Sequence, residues 1–125
     1  MKKILILILM LIPLVSNAQS WYTANAVTFT FGNKSEEWQK CNIKILQEKY
    51  TVKVFAQETH IYKQVENPVK EEDGKGNTSL SWECVDKEGK KCILYLIFYE
   101  GANSIYLMIE YDHFKIYYNM TPDDD

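Results

Sequence analysis

The chain has no arginine: all fourteen of its basic residues are lysines. Bidentate recognition of phosphate and of guanine rests on the planar guanidinium. A chain without one, and with a net charge of −3, is a poor partner for nucleic acid, because a negative surface repels a polyanion. Histidine is almost as scarce, with His60 and His113 alone; His113 falls in a tight turn beside Asp112, and His60, on the strand side shared with Tyr62 and Gln64, is expected to face solvent. No Cys/His spacing matches a zinc site, no serine stands in a nucleophile elbow, and no glycine-rich loop follows a strand. The paired acids Glu36-Glu37 and Glu71-Glu72-Asp73 lie in charged, loop-like stretches, a context that favours solvation over the burial a catalytic acid needs. The sequence therefore nominates no catalytic residue, no metal ligand and no cofactor, and leans away from an enzyme. Helical periodicity is also missing: apolar residues recur every second position, not every 3.6.

The one long apolar run is at the N-terminus. Lys2 and Lys3 precede the unbroken stretch Ile4 to Ile12, Pro13 interrupts it, and Ser16-Asn17-Ala18 offers small residues for cleavage before Gln19. This is the layout of a signal peptide over residues 1–18, and it falls short of the ~20 apolar residues a membrane span needs. No cysteine lies near the cleavage point to take a lipid anchor. The expectation is a secreted or periplasmic protein with no membrane insertion of the mature chain, a single β domain over residues 19–125. Without Lys2 and Lys3, twelve lysines face seventeen acids, a net charge of −5. Docking to an anionic membrane is correspondingly disfavoured, and the acidic tail Asp123 to Asp125 is expected to stay solvated.

What is present is β-forming sequence. Tyr, Ile, Val, Phe and Thr dominate, and four C-terminal segments align by their turns alone. Leu80, Trp82 and Cys84 alternate with Ser79, Ser81 and Glu83. A three-residue loop Lys87 to Gly89 then sets Cys84 opposite Cys92, Trp82 opposite Leu94 and Leu80 opposite Leu96. A turn at Gly101-Ala102 pairs Phe98 with Ile105, Leu96 with Leu107 and Leu94 with Ile109. A turn at Asp112-His113 pairs Tyr111 with Phe114, Ile109 with Ile116 and Leu107 with Tyr118. One face thus stays apolar across four strands, and a one-residue slip would scramble it.

In the N-terminal half, residues 26–31, 41–46, 51–55 and 59–65 read as strands, with a turn near Glu48-Lys49. Val27, Phe29 and Phe31 share one face of the first. One short helical turn is expected at 36–40, and Asn67 to Asn77 reads as a mobile loop. Eight short runs joined mostly by tight turns predict an all-β antiparallel meander, closed as a small up-and-down barrel or, alternatively, stacked as a two-sheet sandwich.

Three features could carry function. Cys84 and Cys92 lie opposite each other within the span of a disulfide, a bridge worth about 2–3 kcal/mol, although they fall in a hydrogen-bonded pair; Cys41 is then an unpaired, buried thiol. The second face of the sheet gathers Tyr95, Ile97, Tyr106, Met108 and Tyr117, a candidate interaction surface unless a loop or the N-terminal segment with Trp21 and Tyr22 covers it. Finally, Trp82, Leu94, Ile109, Tyr111 and Phe114 could line a ligand cavity within the barrel. The function expected is a non-enzymatic binding module for a small apolar ligand. The alternative is a protein–protein interaction module acting through the outer patch on another exported protein or on a copy of itself.

Overall fold

In the computed structural model, residues 19–102 and 104–123 are described. The expected signal peptide at 1–18, Asn103, and the tail residues Asp124 and Asp125 lie outside them. The strands are β1 (Ser20–Phe31), β2 (Lys34–Ser35), β3 (Gln39–Gln47), β4 (Thr51–Phe55), β5 (Thr59–Gln64), β6 (Val69–Glu72), β7 (Thr78–Val85), β8 (Lys91–Phe98), β9 (Ile105–Glu110) and β10 (Phe114–Pro122). Among the described residues there is no helix.

Strands β1, β3, β4, β5, β7, β8, β9 and β10 pair antiparallel in sequence, and β10 returns to pair with β1. That last ladder, from Tyr22 opposite Pro122 to Phe31 opposite Phe114, closes the sheet into an eight-stranded barrel and excludes the sandwich. Closure removes the unpaired strand edges of an open sheet.

The C-terminal register is the one its turns dictate. Leu80 faces Leu96, Trp82 faces Leu94 and Cys84 faces Cys92. Leu96 faces Leu107, Leu94 faces Ile109 and Phe98 faces Ile105. Ile109 faces Ile116 and Leu107 faces Tyr118. Asp86 N–H donates to Lys90 O at 2.9 Å, and Gly89 takes φ 83° in the loop between them. The β8–β9 turn is one residue earlier than expected. Ala102 N–H donates to Tyr99 O, so the turn is centred on Glu100-Gly101 with Gly101 at φ 80° in the second central position. The flanking pairs are unchanged, because the apolar face decides them.

Four expectations are corrected. Residues 36–38 have no regular structure and Gln39-Lys40 already belong to β3, so no helical turn forms there; the connection is tied to β1 through Glu36 N–H to Phe29 O and Thr28 Oγ1 to Glu36 O. The stretch 67–77 contains β6, which pairs along β7 from Ser81 to Thr78 and continues the edge that β5 leaves after two residue pairs. His60 lies opposite the inward Val54, on the face of Tyr62, and so points inward and not to solvent.

The fourth correction is the disulfide. Cys84 and Cys92 are opposite each other, yet both thiols are free, as is Cys41, which is half-buried where full burial was expected. The reason lies in the ladder: counting from the bonded Asp86–Lys90 pair, position 84/92 is again hydrogen-bonded. Opposed residues there stand at the wide end of the ~4.5–5.5 Å range of Cβ separations, beyond the ~3.8 Å a disulfide prefers. The Cys84 thiol instead donates to Trp82 O.

The core is the barrel interior. Tyr22, Ile45, Val54, Leu94, Phe98, Ile105, Leu107, Ile109 and Met120 are all buried there. Each such side chain contributes roughly 1.5–3 kcal/mol over its exposed state.

Candidate functional site

The barrel is solid for most of its length and open at one end. The open end is where β1 finishes, β10 begins, and the β7–β8 and β9–β10 hairpins turn. Its shape starts with Asn25. Ala24 pairs with Met120 and Ala26 with Asn119, so Asn25 is an extra residue in β1. A bulge of this kind reverses the alternation of a strand. Before it Tyr22 and Ala24 face inward; after it Val27, Phe29 and Phe31 do, each opposite an inward-facing residue of β10 or Phe114 itself.

Phe31 therefore reaches Phe114, with ring centroids 5.9 Å apart and planes inclined by 28°. Phe114 in turn stacks on Tyr111 at 4.8 Å and 15° across the Asp112-His113 turn. Phe29 extends the row behind Phe31 at 6.4 Å. Four nearly parallel rings thus form one wall of the mouth. Offset stacking of this sort contributes about 0.5–1.5 kcal/mol per pair beyond area burial. Phe31, Phe114 and Ile116 nonetheless remain partly open to solvent.

Of these rings Tyr111 and Phe114 border a recess of about 630 Å³, whose other walls are His60, Tyr62 and Ile116 and, at its rim, Asp86, Glu88, Lys90, Lys91, Asp112 and His113. Asp86 organises this rim. Its Oδ1 accepts the Glu88 and Lys90 backbone N–H groups, each at 2.9 Å, and its Oδ2 accepts the Tyr111 hydroxyl at 2.9 Å. Burial works against ionising Asp86, but the Lys90 N–H, the Tyr111 hydroxyl and the Glu88 N–H outweigh it and hold its pKa below the usual range. Burial, with the nearby Tyr62 and the Asp86 bond added, raises the Tyr111 phenol far above neutrality. Burial also pushes the Cys92 thiol up to about 11 and the Cys84 thiol to about 12. Neither is a thiolate at neutral pH, the form that attacks carbon or binds metal. Among the described residues no group of three or more His, Cys, Asp or Glu is placed to hold a metal ion. The recess offers ring faces, hydrogen-bonding groups and the charges of Asp86, Glu88, Lys90, Lys91 and Asp112.

Of the side chains expected to line a cavity, Tyr111 and Phe114 do so. Trp82, Leu94 and Ile109 lie in the packed layer beneath, with Leu94 and Ile109 fully buried. His60 and Tyr62 join the site from β5, whose inward face the sequence showed less clearly; its period-two alternation is the signal that places His60 beside Tyr62, while Ile116 comes from β10, opposite Ile109 as the Asp112-His113 turn requires.

The outer patch is assembled as the register requires. Tyr95 faces Met108 and Ile97 faces Tyr106, and Tyr117 faces Met108 from the other side. The Tyr95 hydroxyl donates to Glu110 Oε1 at 3.2 Å, and Lys115 pairs with Glu110 at 3.3 Å. Neither Trp21 nor Tyr22 covers this face: Tyr22 is in the core and Trp21 stacks on Phe55. Trp38, from the β2–β3 connection, packs over Tyr106 at 6.1 Å.

No family model, no curated protein and no solved structure matches the chain.

Proposed function

We propose that this chain is an exported, non-enzymatic binding module that takes a small, flat, apolar molecule into the open end of its barrel. The observation that carries the reading is the contrast between the middle of the interior and one of its ends. Leu94, Ile105, Leu107 and Ile109 are fully buried in the middle, whereas Phe114 and Tyr111 border a recess at the mouth, with Phe31 stacked on Phe114 and half exposed beside it. Eight-stranded barrels either pack solid or hold one small ligand, and a concave apolar site with a few polar groups is the usual form of such a site. The stacked wall suits a planar ligand, which would extend the row of rings. Tyr111, fixed by Asp86, and His60 supply polar contacts at its edge. Export rests on the N-terminal pattern of Lys2, Lys3 and the apolar run that follows.

The test is titration of the chain from Gln19 onward with the neutral dye N-phenyl-1-naphthylamine, followed by dye fluorescence. Saturable binding is expected, weakened about tenfold in Phe114→Ala, the loss of roughly one ring stack. No binding by the parent, or equal affinity in Phe114→Ala with an unchanged circular dichroism spectrum, removes the basis for the reading.

A further inference from the structure

A second aromatic recess lies on the outer wall, away from the mouth. We infer that it is a binding site for a small organic cation of the quaternary-ammonium class. The recess, of about 530 Å³, is lined by Trp38, Ile97, Tyr99, Ala102, Tyr106 and Tyr117. No charged residue is among them.

Its walls come from four separate stretches of chain. Tyr106 stands on the outward face of β9 opposite Ile97 of β8. Tyr117 follows on β10, and Tyr99 sits where β8 ends. Trp38 arrives from the β2–β3 connection, which Thr28 Oγ1 and Phe29 O hold against the barrel through Glu36. The rings are not coplanar. Tyr99 meets Tyr106 edge to face at 5.4 Å and 75°, and Trp38 is tilted by 58° to Tyr106 at 6.1 Å. Rings so inclined give this face of the barrel relief, a shallow recess that stays open to solvent. Trp38 and Tyr99 remain 47% and 43% exposed, a large apolar expanse to leave in water.

The choice of ligand follows from electrostatics. Each aromatic face carries negative charge density, so a cup of faces attracts a cation, most of all one too weakly hydrated to resist leaving water. Among the described residues no lysine lines the recess to compete for that place. Glu36 and Glu37 directly precede Trp38, and the chain as a whole is net negative, which favours the approach of a cation. A quaternary ammonium has no N–H to satisfy, matching walls that offer ring faces and aliphatic carbon. Free choline-type cations, phosphocholine headgroups and trimethylated lysine share this chemistry.

The experiment is calorimetric titration of the chain from Gln19 onward with choline chloride and, in parallel, with its neutral isostere 3,3-dimethylbutan-1-ol. Choline is expected to bind at least about tenfold more tightly than the isostere, the difference being the cation–ring attraction. Trp38→Ala and Tyr106→Ala should each weaken choline by about tenfold, while Tyr106→Phe, which keeps the ring, should retain it. Phe114→Ala, at the barrel mouth, should leave choline binding intact, and each outer variant should bind the naphthylamine dye as the parent does. That control shows that the variants are folded and separates this site from the one at the mouth. Equal affinity for the isostere, no choline binding, or full binding by a folded Trp38→Ala overturns the proposal. Co-sedimentation with phosphatidylcholine vesicles, or binding of a trimethyl-lysine peptide, would support it and name the source; choline binding without either supports a free cation as ligand.

Discussion

Asp86 ties the β7–β8 hairpin to the mouth of the barrel. Its carboxylate accepts two backbone N–H groups of its own loop and the hydroxyl of Tyr111, so one side chain fixes both a turn and a wall of the recess. These bonds favour the ionised form, and the folded-state pKa lies below the unfolded value. A depressed carboxyl stabilises the fold at pH above its unfolded pKa, near 3.9. That contribution is lost as pH falls through the lower, folded value. Glu48 and Asp123 are lowered too, Glu48 by its pair with Lys53 and Asp123 by its bonds to Thr23 and Lys44, so they act in the same direction. The melting temperature should therefore be nearly flat from pH 7 to about pH 5 and fall below about pH 4. Asp86→Asn should melt lower at pH 7 and show a shallower acid decline. Parallel pH profiles for parent and variant would refute this assignment, and thermal melts by circular dichroism decide it.

At the scale of strands, the chain was legible where its turns are short. Asp86 to Lys90 and Asp112-His113 set the register of β7 to β10 without help from elsewhere, because any slip would place Trp82 or Leu107 against the polar face. Even the turn at Glu100-Gly101, read one residue late, left its flanking pairs unharmed. What escaped notice depends on distant partners. β6 is exposed along its whole length and charged at three of its four residues, and only the stretch of β7 left free by β5 makes it a strand. Trp38 sits in a polar stretch whose local signal, Ser35 ahead of two acids, favours a helical turn; contacts with β1 override it. The Asn25 bulge is equally silent in sequence, because alternation after it looks regular on its own. Its consequence can be tested by deletion. Without Asn25 a continuous β1 would turn either Tyr22 and Ala24 or Phe29 and Phe31 to solvent. A loss of about 3 kcal/mol or more is expected, the cost of withdrawing a large aromatic from a core. Urea unfolding of the deletion variant measures it; a loss under about 1 kcal/mol would show that the extra residue does not set the facing.

The molecule as a whole is a closed sheet with an asymmetric interior. Sequence period alone could place a common apolar layer from Leu80 to Met120, but not say whether it closed. That answer needed the pairing of β1 with β10, more than ninety residues apart for most of its length. Nor could the period show which part of the layer is left unfilled. Trp82, Leu94 and Ile109 carry the same alternation as Tyr111 and Phe114, yet only the latter two reach beyond the packed middle. Ligand binding at the mouth depends on that difference between a buried middle and an open end bordered by rings. Its most direct test is an NMR titration of the isotopically labelled chain with N-phenyl-1-naphthylamine. Saturable shifts should gather at His60, Tyr62, Tyr111, Phe114 and Ile116 and spare Phe98, Ile105 and Leu107. Shifts centred on that second group, shifts spread without focus over the outer wall, or none at all would contradict it.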